Sequence, residues 1–133
     1  MSLSRMFPML FMVVLAFTLA ACSGGKPESV VEAFYSAAED GDVEEAREQI
    51  SYANVSASQV AAVQGKVQMI VGEMQARINA NKGLDEVEIV ESKVSEDGNT
   101  ATVRAKLIFN NGKELIEDHR LVKEDDGWKI VLR

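Results

Sequence analysis

The stretch Thr100-Ala101-Thr102-Val103-Arg104-Ala105-Lys106-Leu107-Ile108-Phe109 decides the fold. Ala101, Val103, Ala105, Leu107 and Phe109 fall on one side, while Thr102, Arg104, Lys106 and Ile108 fall on the other. A period of two with one apolar side predicts a strand buried on one face. Asn110-Asn111-Gly112 follows, residues that tolerate positive φ and so favour a hairpin turn. Residues 114–123 then form the returning strand. Asp125-Asp126-Gly127 turns again into Trp128-Lys129-Ile130-Val131-Leu132. Upstream, Val87, Ile89 and Val94 mark a strand from Leu84 that closes at Ser95-Glu96-Asp97-Gly98. Turns at such short intervals predict an antiparallel four-stranded meander.

The segment before the strands has a helical period. Pro27-Glu28-Ser29 opens a first helix, with proline suited to the first turn and glutamate to the positive helix end. Val30, Val31, Phe34, Ala37 and Ala38 recur at helical spacing. Asp40-Gly41-Asp42 stops that helix and caps a short second one with Val43, Ala46 and Ile50 inward. Residues 51–57 break the pattern. Ser56 or Ser58 is then placed to cap a long third helix running to about Asn79, with Val60, Val63, Val67, Ile70, Val71, Met74 and Ile78 as its apolar stripe. Met69 and Met74 read as helix packing. Gly65 and Gly72, seven residues apart, either admit a close neighbour or are slack points costing roughly 1 kcal/mol each. Helices first and strands second make an α+β fold: N-terminal helices packed on a curved antiparallel four-stranded meander.

The amino-terminal end carries a different signal. Arg5 is followed by an uncharged apolar run from Phe7 to Leu19 and then by small residues, the pattern of a cleaved secretory signal. Leu19-Ala20-Ala21-Cys22 resembles a bacterial lipobox at every position, and Cys22 is the only cysteine in the chain. The resemblance implies a diacylglyceryl group on the Cys22 thiol and cleavage before it. The expected organisation is a signal peptide over 1–21, a lipidated cysteine and short tether over 22–26, and one α+β domain over 27–133. Each buried CH₂ of the lipid contributes ~0.8 kcal/mol, and two or more chains anchor stably. Ser23, where aspartate would resemble an inner-membrane retention signal, points to the outer membrane, facing the periplasm, if the cell is Gram-negative. The cell envelope is the expected location.

The sequence holds 14 Lys and Arg against 21 Asp and Glu, a net charge of −7, and removing residues 1–21 takes one arginine and no acid. Such a balance argues against nucleic acid, which calls for clustered bases. It argues equally against electrostatic adhesion to anionic lipid. The single histidine, His119, has no partner at metal-ligand spacing, and the acidic clusters lack the alternation of a calcium loop. The expectation is no metal and no cofactor beyond the lipid on Cys22.

Three stretches resemble a known family: Pro27 to Ala37 followed by Gly41-Asp42, then Thr100-Ala101-Thr102-Val103, then Glu124-Asp125-Asp126-Gly127-Trp128-Lys129-Ile130. They are similar to small bacterial lipoproteins carrying the domain of unknown function 4878, in the nuclear-transport-factor-two-like superfamily (cystatin-like, ketosteroid-isomerase-like). The resemblance implies a cone, a bent sheet wrapped around the long helix with a cavity between them. Candidate lining residues are Phe34, Tyr35, Val67, Val71, Leu107, His119 and Trp128. Trp128 and the methionines read first as core. The enzymes of that superfamily place aspartate, histidine or tyrosine in the cavity for proton transfer; Tyr35, Tyr52, Asp118 and His119 are the candidates here. Alternation divides Leu115, Glu117, His119 and Leu121 from Ile116, Asp118, Arg120 and Val122, and both sides mix apolar with charged residues. No catalytic motif is matched. The expected function is therefore a non-catalytic, lipid-anchored binding or interaction module, taking a small apolar ligand or another envelope protein, or pairing with itself through the sheet. Exposure of Ile108, Ile116 or Val131 on the outer sheet face would favour the last. The alternative is a small isomerase or hydrolase using His119 with Asp118 or Glu117.

Overall fold

The computed structural model describes residues 25–132. In chain order they form α1 (Pro27–Asp40), α2 (Val43–Glu48), α3 (Val60–Ala80), β1 (Leu84–Val94), β2 (Thr100–Phe109), β3 (Glu114–Glu124) and β4 (Gly127–Val131). The strands make one antiparallel sheet in the order β1-β2-β3-β4, with the helices packed on one face. The fold class is the one the order of periods predicts.

Local chemistry sets the helix ends. Pro27 occupies the first turn of α1. Gly41 ends it at φ 69°, and the N–H of Asp42 donates to Ala37 O at 2.8 Å, satisfying a carbonyl left free at the helix end. A Cβ on Gly41 would lie 2.6 Å from the Gln75 amide, a second reason for glycine there. Asp42 then caps α2, its carboxylate accepting from Glu45 N–H at 3.1 Å. The start of α3 departs from expectation. Its N-cap is Gln59, and the hydroxyls of Ser56 and Ser58 bond to each other at 3.1 Å instead of to the helix. The reason is a turn in which Gln59 N–H donates to Ser56 O, which places both serines ahead of the first helical residue.

Only Val67, Val71 and Ile78 of the α3 stripe are fully buried; Ile70 and Met74 pack at the margin. Met69 is 64% exposed, so it is not a packing residue. Gly65 and Gly72 face open space, with nothing within 4 Å of an added Cβ. They admit no close neighbour and are slack points. Alanine at either should raise stability by about 1 kcal/mol, read by urea unfolding; a loss at either site would overturn the assignment. The resemblance placed the long helix inside the sheet. In the structure α1 lies closest to β1, β2 and β4, while α3 backs onto α1 and α2. The cause is the wider apolar face of α1, which buries Val30, Val31, Phe34, Tyr35, Ala37 and Ala38.

On β2, Ala101, Val103, Ala105, Leu107 and Phe109 all face the helices and are buried. The hairpin that follows is tied to the end of α3: Asn110 Nδ2 donates to Lys82 O at 2.9 Å and Asn111 Nδ2 to Asn81 Oδ1 at 2.8 Å. Beyond β4, the chain itself closes the sheet. Ile50 bridges Ile130 in parallel, with Ile130 N–H donating to Gln49 O at 2.7 Å and Ser51 N–H to Ile130 O at 2.8 Å.

Candidate functional site

The register of β3 settles which side chains turn inward. Glu117 stands opposite Ala105, His119 opposite Val103 and Leu121 opposite Ala101, all on the helix-facing side. Leu121 is fully buried and Leu115 packs on the core. Ile116, Asp118 and Arg120 therefore point to the outer face, where Ile116 is 56% exposed.

One polar pair crosses the core boundary. Tyr35, from α1, is 1% exposed, and its hydroxyl lies 2.6 Å from His119 Nε2. The two rings meet edge to face with centroids 5.5 Å apart. Burial first, and then the negative charge of Glu117, holds the Tyr35 phenol well above its ordinary range, so it keeps its proton. The bond satisfies a hydroxyl that would otherwise cost about 1–3 kcal/mol to bury. Glu117 also borders a small cleft of about 150 Å³ between α3 and β3, with Ile70, Glu73, Met74 and Arg77.

Asp118 stands on the opposite face of β3 from Glu117 and His119. Its carboxylate accepts from Arg104 Nε at 2.8 Å and Nη2 at 3.4 Å on the outer face. A His119–Asp118 pair facing the interior is thus not assembled, because adjacent strand residues point to opposite sides. Glu117 is the carboxylate on the side of His119. Chemically, the arrangement holds a neutral phenol against an imidazole nitrogen. A general base needs that nitrogen within reach of a substrate proton, whereas here Nε2 is occupied by a buried side chain.

The other candidates lie as follows. Phe34, Val67, Val71 and Leu107 are at most 4% exposed and pack on one another's cluster, so they fill the space between sheet and helices. Trp128 belongs to the same core and borders a cleft of about 190 Å³ beside Gly25, Val30 and Gln49. His119 borders an outer cleft of about 320 Å³ with Glu91, Lys93, Thr102, Arg104 and Asp118. The Tyr52 hydroxyl is buried and has no hydrogen-bond partner among the described residues. Cys22 and the preceding Leu19, Ala20 and Ala21 lie outside the described residues. Among the described residues there is no group of three or more His, Cys, Asp or Glu that could hold a metal. No helix among them is long and apolar enough to cross a membrane. The Tyr35–His119 contact is the feature that sequence reasoning missed: the residues are 84 apart, and only the side chosen by β3 brings them together.

Comparison with known proteins fits this fold. The family described as Domain of unknown function (DUF4878) matches residues 20–131. No curated protein matches the chain in sequence. Among solved structures, a Campylobacter jejuni protein provisionally named an NTF2-like transpeptidase superposes with a TM-score of 0.75 at 23% identity, covering 82% of this chain and 100% of that one. The intermembrane space region of the chloroplast protein ARC6 gives a TM-score of 0.44 at 17% identity, over 79% of this chain and 89% of that one. A Streptomyces avermitilis protein provisionally named a dehydratase of the NTF2-like family gives 0.42 at 19%, over 79% and 93%. The first of these shows an NTF2-like fold; the other two scores are too low to bear on it.

Proposed function

The chain belongs to the DUF4878 family, and on that premise we propose that it is a lipid-anchored cell-envelope protein acting as a non-catalytic binding or interaction module. The observation that carries the reading is where its apolar surface lies. The interior is filled by the chain's own side chains, and its polar pair, Tyr35 and His119, is bonded to itself. Ile116 is 56% exposed on the outer sheet face, where Ile108 and Val131 are only half-buried. A partner met on the outside, an envelope protein or a second copy paired through the sheet, fits this better than a small apolar ligand held within. The lipobox residues and Cys22 supply the anchor, and Ser23 favours the outer membrane, facing the periplasm, in a Gram-negative cell.

The test is metabolic labelling of the full chain with a tagged fatty acid in a Gram-negative host. Wild type should incorporate the label and fractionate with the outer membrane. Cys22→Ser should lose the label entirely. An unlabelled wild type would sink the anchor.

A second reading, a small isomerase or hydrolase in which His119 works with Glu117, draws on the Tyr35–His119–Glu117 cluster. The transpeptidase name of the Campylobacter neighbour belongs to that protein, since 23% identity carries the fold alone. Native mass spectrometry of the protein as isolated from the cell separates the readings. A retained small-molecule mass that disappears in His119→Gln would point to a ligand pocket at His119, which the enzyme requires; a mass with nothing small bound favours the interaction module.

A further inference from the structure

The two edges of the sheet are treated differently. β4 is closed by residues 49–51, as described above. Along β1, among the described residues, no backbone–backbone hydrogen bond beyond those to β2 involves Leu84–Val94. Two hydrogen bonds, well separated, join α1 to this strand among the described residues. Glu39 accepts from Leu84 N–H at 3.3 Å, and Glu28 accepts from the Ser92 hydroxyl.

The apolar cover also runs out here. The helix-facing residues of β2 are 0–3% exposed, whereas Leu84, Val87 and Ile89 of β1 are only partly buried. Leu84 and Val87, with Ala33 and Ser36 of α1, floor a groove of about 420 Å³. Its rim is Glu32, Glu39, Asp85 and Glu86, and none of the four is in an ion pair with a lysine or arginine among the described residues.

We propose that the β1 edge and this groove take an extended, lysine- or arginine-bearing segment of another protein by strand addition. Unpaired backbone groups supply the ladder, and alternate side chains reach the groove. The charges choose the occupant. A second copy added through β1 would set Asp85, Glu86, Glu88 and Glu91 against their like, which destabilises cross-strand pairs. Acidic side chains on an edge guard it against self-association while leaving it open to a cationic strand. The residues do not form a metal cluster. The inference rests on the binding role proposed above and adds to it a surface apart from the outer sheet face; the lipid takes no part in it.

The experiment is fluorescence anisotropy on the protein as isolated from the cell, with a labelled ten-residue peptide of alternating lysine and valine. The control is the same peptide carrying N-methyl groups on alternate backbone nitrogens. The plain peptide should bind and the N-methylated one about tenfold more weakly. Reversing the exposed rim with Glu32→Lys and Glu86→Lys together should also weaken binding about tenfold. Ile116→Ser, on the outer sheet face, should change nothing. Equal binding of both peptides would mean charge adhesion without strand addition, and would overturn the proposal. No binding of either would overturn it as well. Binding lost in Ile116→Ser but kept in the rim variant would move the surface to the outer face while leaving the interaction-module reading intact.

Discussion

Leu107→Ala should lower the free energy of unfolding by about 3 kcal/mol, within the range for deleting a buried leucine side chain. Leu107 is fully buried near the middle of the sheet, opposite Val87 on one side and Leu115 on the other. Its neighbours are strands and helices fixed on all sides, so the space left behind collapses poorly. Against a typical total of about 5–15 kcal/mol, this is a large fraction. The midpoint of thermal unfolding should fall by roughly 10–20 °C. Among all 133 residues Cys22 is the only cysteine, so no disulfide within the chain cushions the loss. The control is Ile116→Ala on the opposite face, 56% exposed, which should stay within about 0.5 kcal/mol of wild type. Urea unfolding of both variants reads the difference. Similar losses at the two positions would overturn the assignment of the faces.

The second large effect is alkaline. Tyr35 is buried and its phenol is held above the ordinary value of 10.0, by burial first and by Glu117 second. Below that value the phenol is protonated in both folded and unfolded chains, and the stability is fully present. Above it the unfolded phenol ionises while the folded one does not, so the unfolded state gains. Stability should then fall by up to about 1.4 kcal/mol for each further pH unit. Tyr35→Phe should remove most of that slope. Tyr52, also raised by burial though closer to the surface, contributes to what remains. At neutral pH the same substitution should cost about 1 kcal/mol, since His119 Nε2 loses its partner. A pH series of urea unfolding from neutrality to strong alkali checks both. An unchanged slope in Tyr35→Phe would mean that the phenol ionises freely in the fold.

Much of the fold was legible because its signals are local. The alternation of β2, the Asn110-Asn111-Gly112 turn and the Asp42 cap each act over a few residues, and each appears where the sequence puts it. The misreadings are equally physical. Ser56 and Ser58 have the chemistry of caps, but a turn through Gln59 carried them out of position. Met69 and Met74 look alike in sequence, yet only tertiary packing decides that one is exposed and the other tucked at the core margin. The candidate site was harder. β3 carries a charged residue on each face, so its orientation was undetermined until Leu121 was seen sealed against the helices. Only then does Tyr35 find His119 and Asp118 find Arg104.

The Ile50–Ile130 bridge sets a timetable. The three hairpins of the sheet join neighbours in the chain, but this bridge joins residues about 80 apart, and the entropy of closing a loop grows with its length. It cannot form before β4 exists. A chain that emerges amino-terminus first must therefore carry α1 and its buried apolar side chains through most of its passage without the finished sheet that covers them. During that interval the helices are the part of the molecule most exposed to sticking, and most in need of a holder until the fourth strand arrives.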